Sequence, residues 1–169
     1  SMIETALDVT GNKVPGQVIR EIVTAGQDML AHPIELLPGA LETVTELGRD
    51  FPLLLITKGD LLDQERKLAQ SGLGEMFDSV EIVSDKTGPV YRDIFARHGT
   101  RPEDALMVGN SVKSDVIPAI EIGAWGVYVP HGLAWEIEAA EPPESSPRYR
   151  EIASLADLPA LISEIGHQT

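Results

Sequence analysis

Two hydrophobic periods run along this chain. Val18, Ile19, Ile22, Val23, Met29 and Leu30 fall largely on one helical face, Pro15 suits a first turn, and His32-Pro33 stops the run, so a helix is predicted over 15–31. Ile3 to Leu7 reads as the tail of an earlier helix closed by Gly11-Asn12. From Pro38 onward the pattern changes to short continuous apolar runs alternating with amphipathic stretches. Strands are predicted over 52–57, 79–83, 105–109 and 124–129, with a short edge strand at 150–153. Helices are predicted from Pro38-Gly39 to Leu47, over 61–72, from Thr87 to Arg97 with Pro89 in the first turn, from a cap at Ser114 or Asp115 to Gly123, and over 155–165. Strand and helix at such short intervals imply parallel pairing with right-handed crossovers. The fold class expected is therefore α/β, a doubly wound Rossmann-like parallel sheet, with a separate helical segment over 1–37 ahead of a core over 38–169.

Composition narrows the function. With 169 residues, 43% hydrophobic and 24% charged, the chain can bury one sizeable core. Thirteen basic against 27 acidic residues give a net charge of −14, a field that repels nucleic acid and anionic membrane surfaces. Neither is expected as a partner, and any anionic ligand must be held by a local cation. The absence of cysteine excludes disulfides, thiol catalysis and Cys-ligated zinc, and histidines 32, 98, 131 and 167 lack metal-site spacing. No stretch approaches the roughly 20 apolar residues that cross a bilayer. Ser1-Met2-Ile3-Glu4 lacks the basic and apolar regions of a signal peptide, so a cytoplasmic protein is expected.

The candidate chemistry sits at strand ends, where open α/β sheets bind ligands. Phe51-Pro52-Leu53-Leu54-Leu55-Ile56 delivers Thr57-Lys58-Gly59-Asp60 to one rim, and Leu106-Met107-Val108-Gly109 delivers Asn110-Ser111 and then Ser114-Asp115. Between them in sequence lies Ser84-Asp85-Lys86. Thr57, with the Lys58 and Gly59 amides behind it, suits a phosphoryl oxygen; its alternative is a helix cap or turn. Lys86 suits charge developing on a phosphoryl group, against the alternative of a solvated surface lysine. Asn110 and Asp115 suit a hard cation such as Mg²⁺, against the alternative that Asp115 is a plain N-cap. His131 and Trp135 follow the strand at 124–129 and either line this rim or pack on the surface.

Taken together and in this order, Thr57, Lys86, and Gly109-Asn110-Ser111 with Asp115 resemble the second, third and fourth motifs of the haloacid dehalogenase superfamily of aspartate-nucleophile hydrolases. The resemblance covers about residues 38–130 and makes residues 1–37 part of that family's helical cap. It implies an aspartate that attacks phosphorus, Mg²⁺ assistance and a small phosphorylated metabolite as substrate. It also implies Thr57 and Lys86 as phosphate-binding and charge-offsetting residues, and Asn110 with Asp115 as residues that place the metal or orient Lys86. Asn110 stands where metal-dependent members have Asp, and an amide near this place also occurs in the metal-free 2-haloacid dehalogenase branch. The Asp85-Lys86-Thr87-Gly88 run imitates the phosphorylated motif of ion-pumping ATPases, but Thr57 precedes it and no membrane segment accompanies it, so Asp85 is taken as a turn residue.

The family's first motif, an apolar strand ending in Asp-x-Asp, has no counterpart before Thr57; Asp8-Val9-Thr10-Gly11 follows a helical stretch and lacks the second acid. In the family that strand lies between those ending at Thr57 and Gly109. Without it several main-chain groups would lose their partners, at about 1–3 kcal/mol each, in a domain stable by only about 5–15 kcal/mol. The expectation is a core lacking its first strand, inert by itself, and completed by the missing segment or a second copy. The alternatives are a 2-haloacid dehalogenase and a non-catalytic binding or dimerisation module.

Overall fold

Four apolar runs form parallel strands close to where the pattern places them. The computed structural model describes residues 2–31, 36–59, 72–131 and 140–166; almost all of the helix expected over 61–72, together with Asp60 and Trp135, lies outside the described residues. Strand β1 (Leu54–Lys58) starts two residues later than expected. Pro52 has no N–H for a ladder, and the Leu53 N–H donates instead to the Asp78 carboxylate at 2.7 Å. β2 spans Ser79–Val83, β3 Leu106–Gly109, β4 Trp125–Tyr128 and β5 Tyr149–Glu151.

The chain divides into two units, Ser1–Ile34 and Glu35–Thr169. In the first, helices α1 (Met2–Val9) and α2 (Gly16–Ala31) are joined by a turn in which Gly11 and Asn12 take φ of 59° and 63°. Val9, Val18 and Val23 are exposed there.

The second unit is an α/β sandwich whose sheet comes in two parts. β1 pairs in parallel with β2, placing Thr57 opposite Ile82; β3 pairs with β4 and β4 with β5, all parallel, placing Val108 opposite Val127 and Val127 opposite Arg150. Among the described residues β1 and β3 do not pair with each other. Gly59 N–H and Leu53 C=O bond toward β2, so by alternation the main-chain groups of Leu54 and Ile56 point to the opposite side. Ala105 and Gly109 carbonyls bond toward β4, so those of Leu106 and Val108 point away from it.

Helices on both faces tie the two parts together. On one face Tyr91, Ile94 and Phe95 of α4 (Gly88–Arg97) pack with Leu54, Ile56, Val83 and Met107. On the other, Leu47 of α3 (Ala40–Leu47) and Leu158, Leu161 and Ile165 of α6 (Leu158–Gly166) pack with Leu53, Leu106, Val108 and Val127. α6 is preceded by a 3₁₀ turn, Leu155–Asp157, in which Ser154 and Asp157 form a capping box. The short helix α5 (Ile117–Glu121) joins β3 to β4.

A candidate active site at the carboxyl rim

Three strand ends carry the site. β2 runs into Ser84-Asp85-Lys86, where the Asp85 carboxylate accepts the Lys86 N–H at 2.9 Å and lies 3.9 Å from Lys58 Nζ. Asp85 thus lies in the segment between β2 and the helix that follows it. The Lys86 side chain then leaves its own sheet part and reaches β3's end, where its ammonium donates to Asp115 Oδ1 at 2.7 Å. Only 15% of the Lys86 side chain and 4% of the Asp115 side chain are exposed. Asp115 Oδ2 accepts the Ser111 N–H at 3.0 Å. Both carboxylate oxygens therefore have donors, and the lysine is fixed in place by a partner that cannot readily turn away.

Asp115 reaches this position through a π-helical turn over Val112–Val116. Ser111 C=O accepts the N–H of Val116 at 3.3 Å, and Val112 C=O accepts that of Ile117, each five residues on. Ser111 caps the turn through its hydroxyl, which accepts the Ser114 N–H at 3.2 Å. The cap expected at Ser114 or Asp115 is thereby corrected: Ser111 lies nearer β3 and its hydroxyl takes the Ser114 N–H, while Asp115 points at the rim. Gly109 makes room for it, since a Cβ there would lie 2.1 Å from Asp115 Oδ2.

The remaining candidates distribute as follows. Thr57 is half-buried near the end of β1, at the same carboxyl rim by register, and Lys58 follows it with its side chain exposed. Gly59 departs from expectation: its N–H bonds to Val83 C=O at 3.3 Å and its φ of 148° turns the chain, so its amide closes the β1–β2 pair. Asn110 is exposed where β3 ends, and His131 is exposed after β4.

Mg²⁺ usually binds oxygen ligands in octahedral geometry through one or two carboxylates. Asp115 has both oxygens engaged, Asn110 offers one uncharged oxygen, and among the described residues no group of three His, Cys, Asp or Glu side chains could hold a metal. The described residues alone do not fit the ion.

Two residues have roles in this site that the pattern does not assign. Ser111 supplies the N–H that fixes Asp115. Tyr91 of α4, with no exposed surface, donates its hydroxyl to Ser114 C=O at 2.9 Å. Burial first, and then the nearby Asp115 charge, push the Tyr91 phenol well above its ordinary range, so it remains a donor. The signal was a tyrosine on the buried face of a helix, which also reads as plain core.

A family model for haloacid dehalogenase-like hydrolases matches residues 7–123. The chain is 26% identical over 134 residues to glyceraldehyde 3-phosphate phosphatase of Pyrococcus furiosus, covering 74% of this chain and 52% of that protein. It is 27% identical over 130 residues to N-acylneuraminate-9-phosphatase of Mus musculus, covering 72% and 50%. The chain thus spans about half the length of these curated relatives. A solved haloacid dehalogenase-like family hydrolase from Xanthomonas campestris superposes with a TM-score of 0.85 at 37% identity, over 99% of this chain and 71% of that one.

Proposed function

The chain belongs to the haloacid dehalogenase-like hydrolases, and on that premise we propose that it forms the phosphate-handling part of a phosphatase for a small phosphorylated metabolite. The observation that carries this reading is the Lys86–Asp115 pair at the carboxyl rim. In a molecule of net charge −14, a cation held in one place is what a phosphoryl group requires. The two phosphatases reported above act on different small phosphate esters, which supports the substrate class without selecting a member.

Thr57 donates its hydroxyl to the phosphoryl oxygens and Lys58 adds its main-chain N–H. Lys86 offsets the charge that develops in the transition state, and Asp115 keeps Lys86 aimed. The nucleophile is a carboxylate on a strand seated between β1 and β3, against the main-chain groups of Leu54, Ile56, Leu106 and Val108. That carboxylate attacks phosphorus while the ester oxygen departs with a proton from a second carboxyl on the same strand. Water then hydrolyses the aspartyl phosphate and restores the carboxylate. Mg²⁺, if bound, would supply further charge neutralisation; its carboxylate ligands would have to come from that strand, with Asn110 adding an amide oxygen. Residues 1–37 correspond to part of the family's helical cap.

The test is complementation. The purified chain is assayed on p-nitrophenyl phosphate with Mg²⁺, with and without a synthetic apolar peptide of about six residues ending in Asp-x-Asp, a usual strand length. The expected result is no turnover by the chain alone and turnover with the peptide, abolished by Lys86→Ala. Turnover by the chain alone that Lys86→Ala abolishes would place the nucleophile within it. Chloride release from 2-haloacids without metal would favour the dehalogenase alternative that Asn110 brings in. A bound peptide with neither activity would favour a non-catalytic module.

A further inference from the structure

The turn that carries Asp115 is held from three sides. On β3, Gly109 leaves the space that the Asp115 carboxylate occupies, and on β4, Gly126 admits Val116, whose Cγ1 and carbonyl oxygen would both lie 2.9 Å from a Cβ there. The third side is α4. An α-helical path would give the Ser114 carbonyl the N–H four residues on, but that residue is Pro118, which has none. The Tyr91 hydroxyl donates to this carbonyl instead, at 2.9 Å, from a ring that is wholly buried and stacked 6.2 Å from Phe95.

We propose that Tyr91 is the positioning residue of the site: its hydroxyl stands in for the N–H that Pro118 lacks, holds the Val112–Val116 turn in its five-residue geometry, and thereby keeps Asp115 on Lys86 and Ser111. π-turns of this kind recur at functional sites, where the widened turn re-aims one side chain. Here the re-aimed side chain is Asp115. Without the Tyr91 hydroxyl the turn loses an anchor on its solvent-remote side, and Asp115 loses the geometry that satisfies both of its oxygens. The inference rests on the reading of Lys86 and Asp115 as the site pair, but its test needs no turnover and is independent of phosphatase activity.

The experiment compares Tyr91→Phe with Phe95→Leu in the full chain, by ¹⁵N NMR of the Lys86 ammonium and hydrogen exchange of the Ser111 amide. Tyr91→Phe removes one oxygen and keeps the ring; Phe95→Leu removes the stacked ring and keeps the hydroxyl. With Tyr91→Phe the slowly exchanging Lys86 signal is lost and Ser111 exchanges about fivefold faster, the factor that one net hydrogen bond supplies. With Phe95→Leu both readouts stay as in the parent, although the melting temperature falls. Unchanged signals in Tyr91→Phe, or equal disturbance in both variants, would overturn the proposal. Should Tyr91→Phe fail to fold, the coupling is read in reverse, with 3-fluorotyrosine at position 91 and Asp115→Asn. A moved ¹⁹F signal supports the proposal and an unmoved one overturns it.

Discussion

Gly109→Ala isolates the contact on which the site geometry turns. The added methyl would sit 2.1 Å from Asp115 Oδ2, 2.3 Å from Cγ and 2.5 Å from Cβ, distances at which something must move. Moving Asp115 costs its bonds to Lys86 and Ser111 and leaves a largely buried ammonium without its partner. Hydrogen bonds to charged groups contribute about 1.5–3 kcal/mol, and breaking a buried pair costs about 3–5 kcal/mol. The larger range applies because Asp115 is almost fully buried, so Gly109→Ala should lower stability by about 3–5 kcal/mol, a large share of the roughly 5–15 kcal/mol of a typical domain. Urea denaturation of the full chain measures it. A cycle with Asp115→Gly separates the clash from the intrinsic effect of alanine in a strand, since with no side chain at 115 the substitution should become nearly neutral. A Gly109→Ala protein within about 0.5 kcal/mol of the parent, the usual spread of surface substitutions, would refute the placement of Asp115.

Three further outcomes follow from named contacts. Tyr91 keeps its proton in the folded protein after an unfolded tyrosine has lost its own near pH 10, so the unfolded chain binds fewer protons there and stability falls as pH rises, by up to about 1.4 kcal/mol per unit. Tyr91→Phe should flatten that alkaline limb in denaturation curves, and an unchanged limb would contradict its burial. Thr43→Val removes the donor to Leu155 C=O at 3.1 Å under a buried side chain and should cost about 1–3 kcal/mol by thermal unfolding, with no loss counting against the contact. Glu81→Gln weakens pairing to Arg97 and His98 at the end of α4, and because the Arg97 partner is largely exposed the change should stay under about 1 kcal/mol; a larger loss would show the latch to be structural.

The strands were legible because each is a short apolar run with polar residues at its carboxyl end, and buried parallel strands require that pattern. Among the described residues β1 does not pair with β3, and the sequence pointed to such a gap for a different reason: it offers the polar motifs without the expected strand before Thr57. What pattern could not reach were choices made between neighbours three or four residues apart. Ser111, Ser114 and Asp115 can each cap a turn, and Pro118 together with the Tyr91 hydroxyl, far away in sequence, accompanies the arrangement in which Ser111 caps and Asp115 is freed. Gly59 was read as a phosphate-binding amide because it follows Thr57 and Lys58, but strand alternation turns its N–H toward β2. The Lys86–Asp115 contact itself was foreseeable only as convergence on one rim; its 2.7 Å length and burial come from the packing of α4 and the π-turn against both sheet parts.

The measurement that bears most directly on this account is a crystal soak with tungstate, a tetrahedral oxyanion that scatters strongly. The account predicts one anomalous peak within hydrogen-bond reach of both the Thr57 hydroxyl and the Lys86 ammonium, absent from Lys86→Ala crystals grown alongside. A peak that persists without Lys86, or one bound to residues away from the ends of β1, β2 and β3, would contradict it.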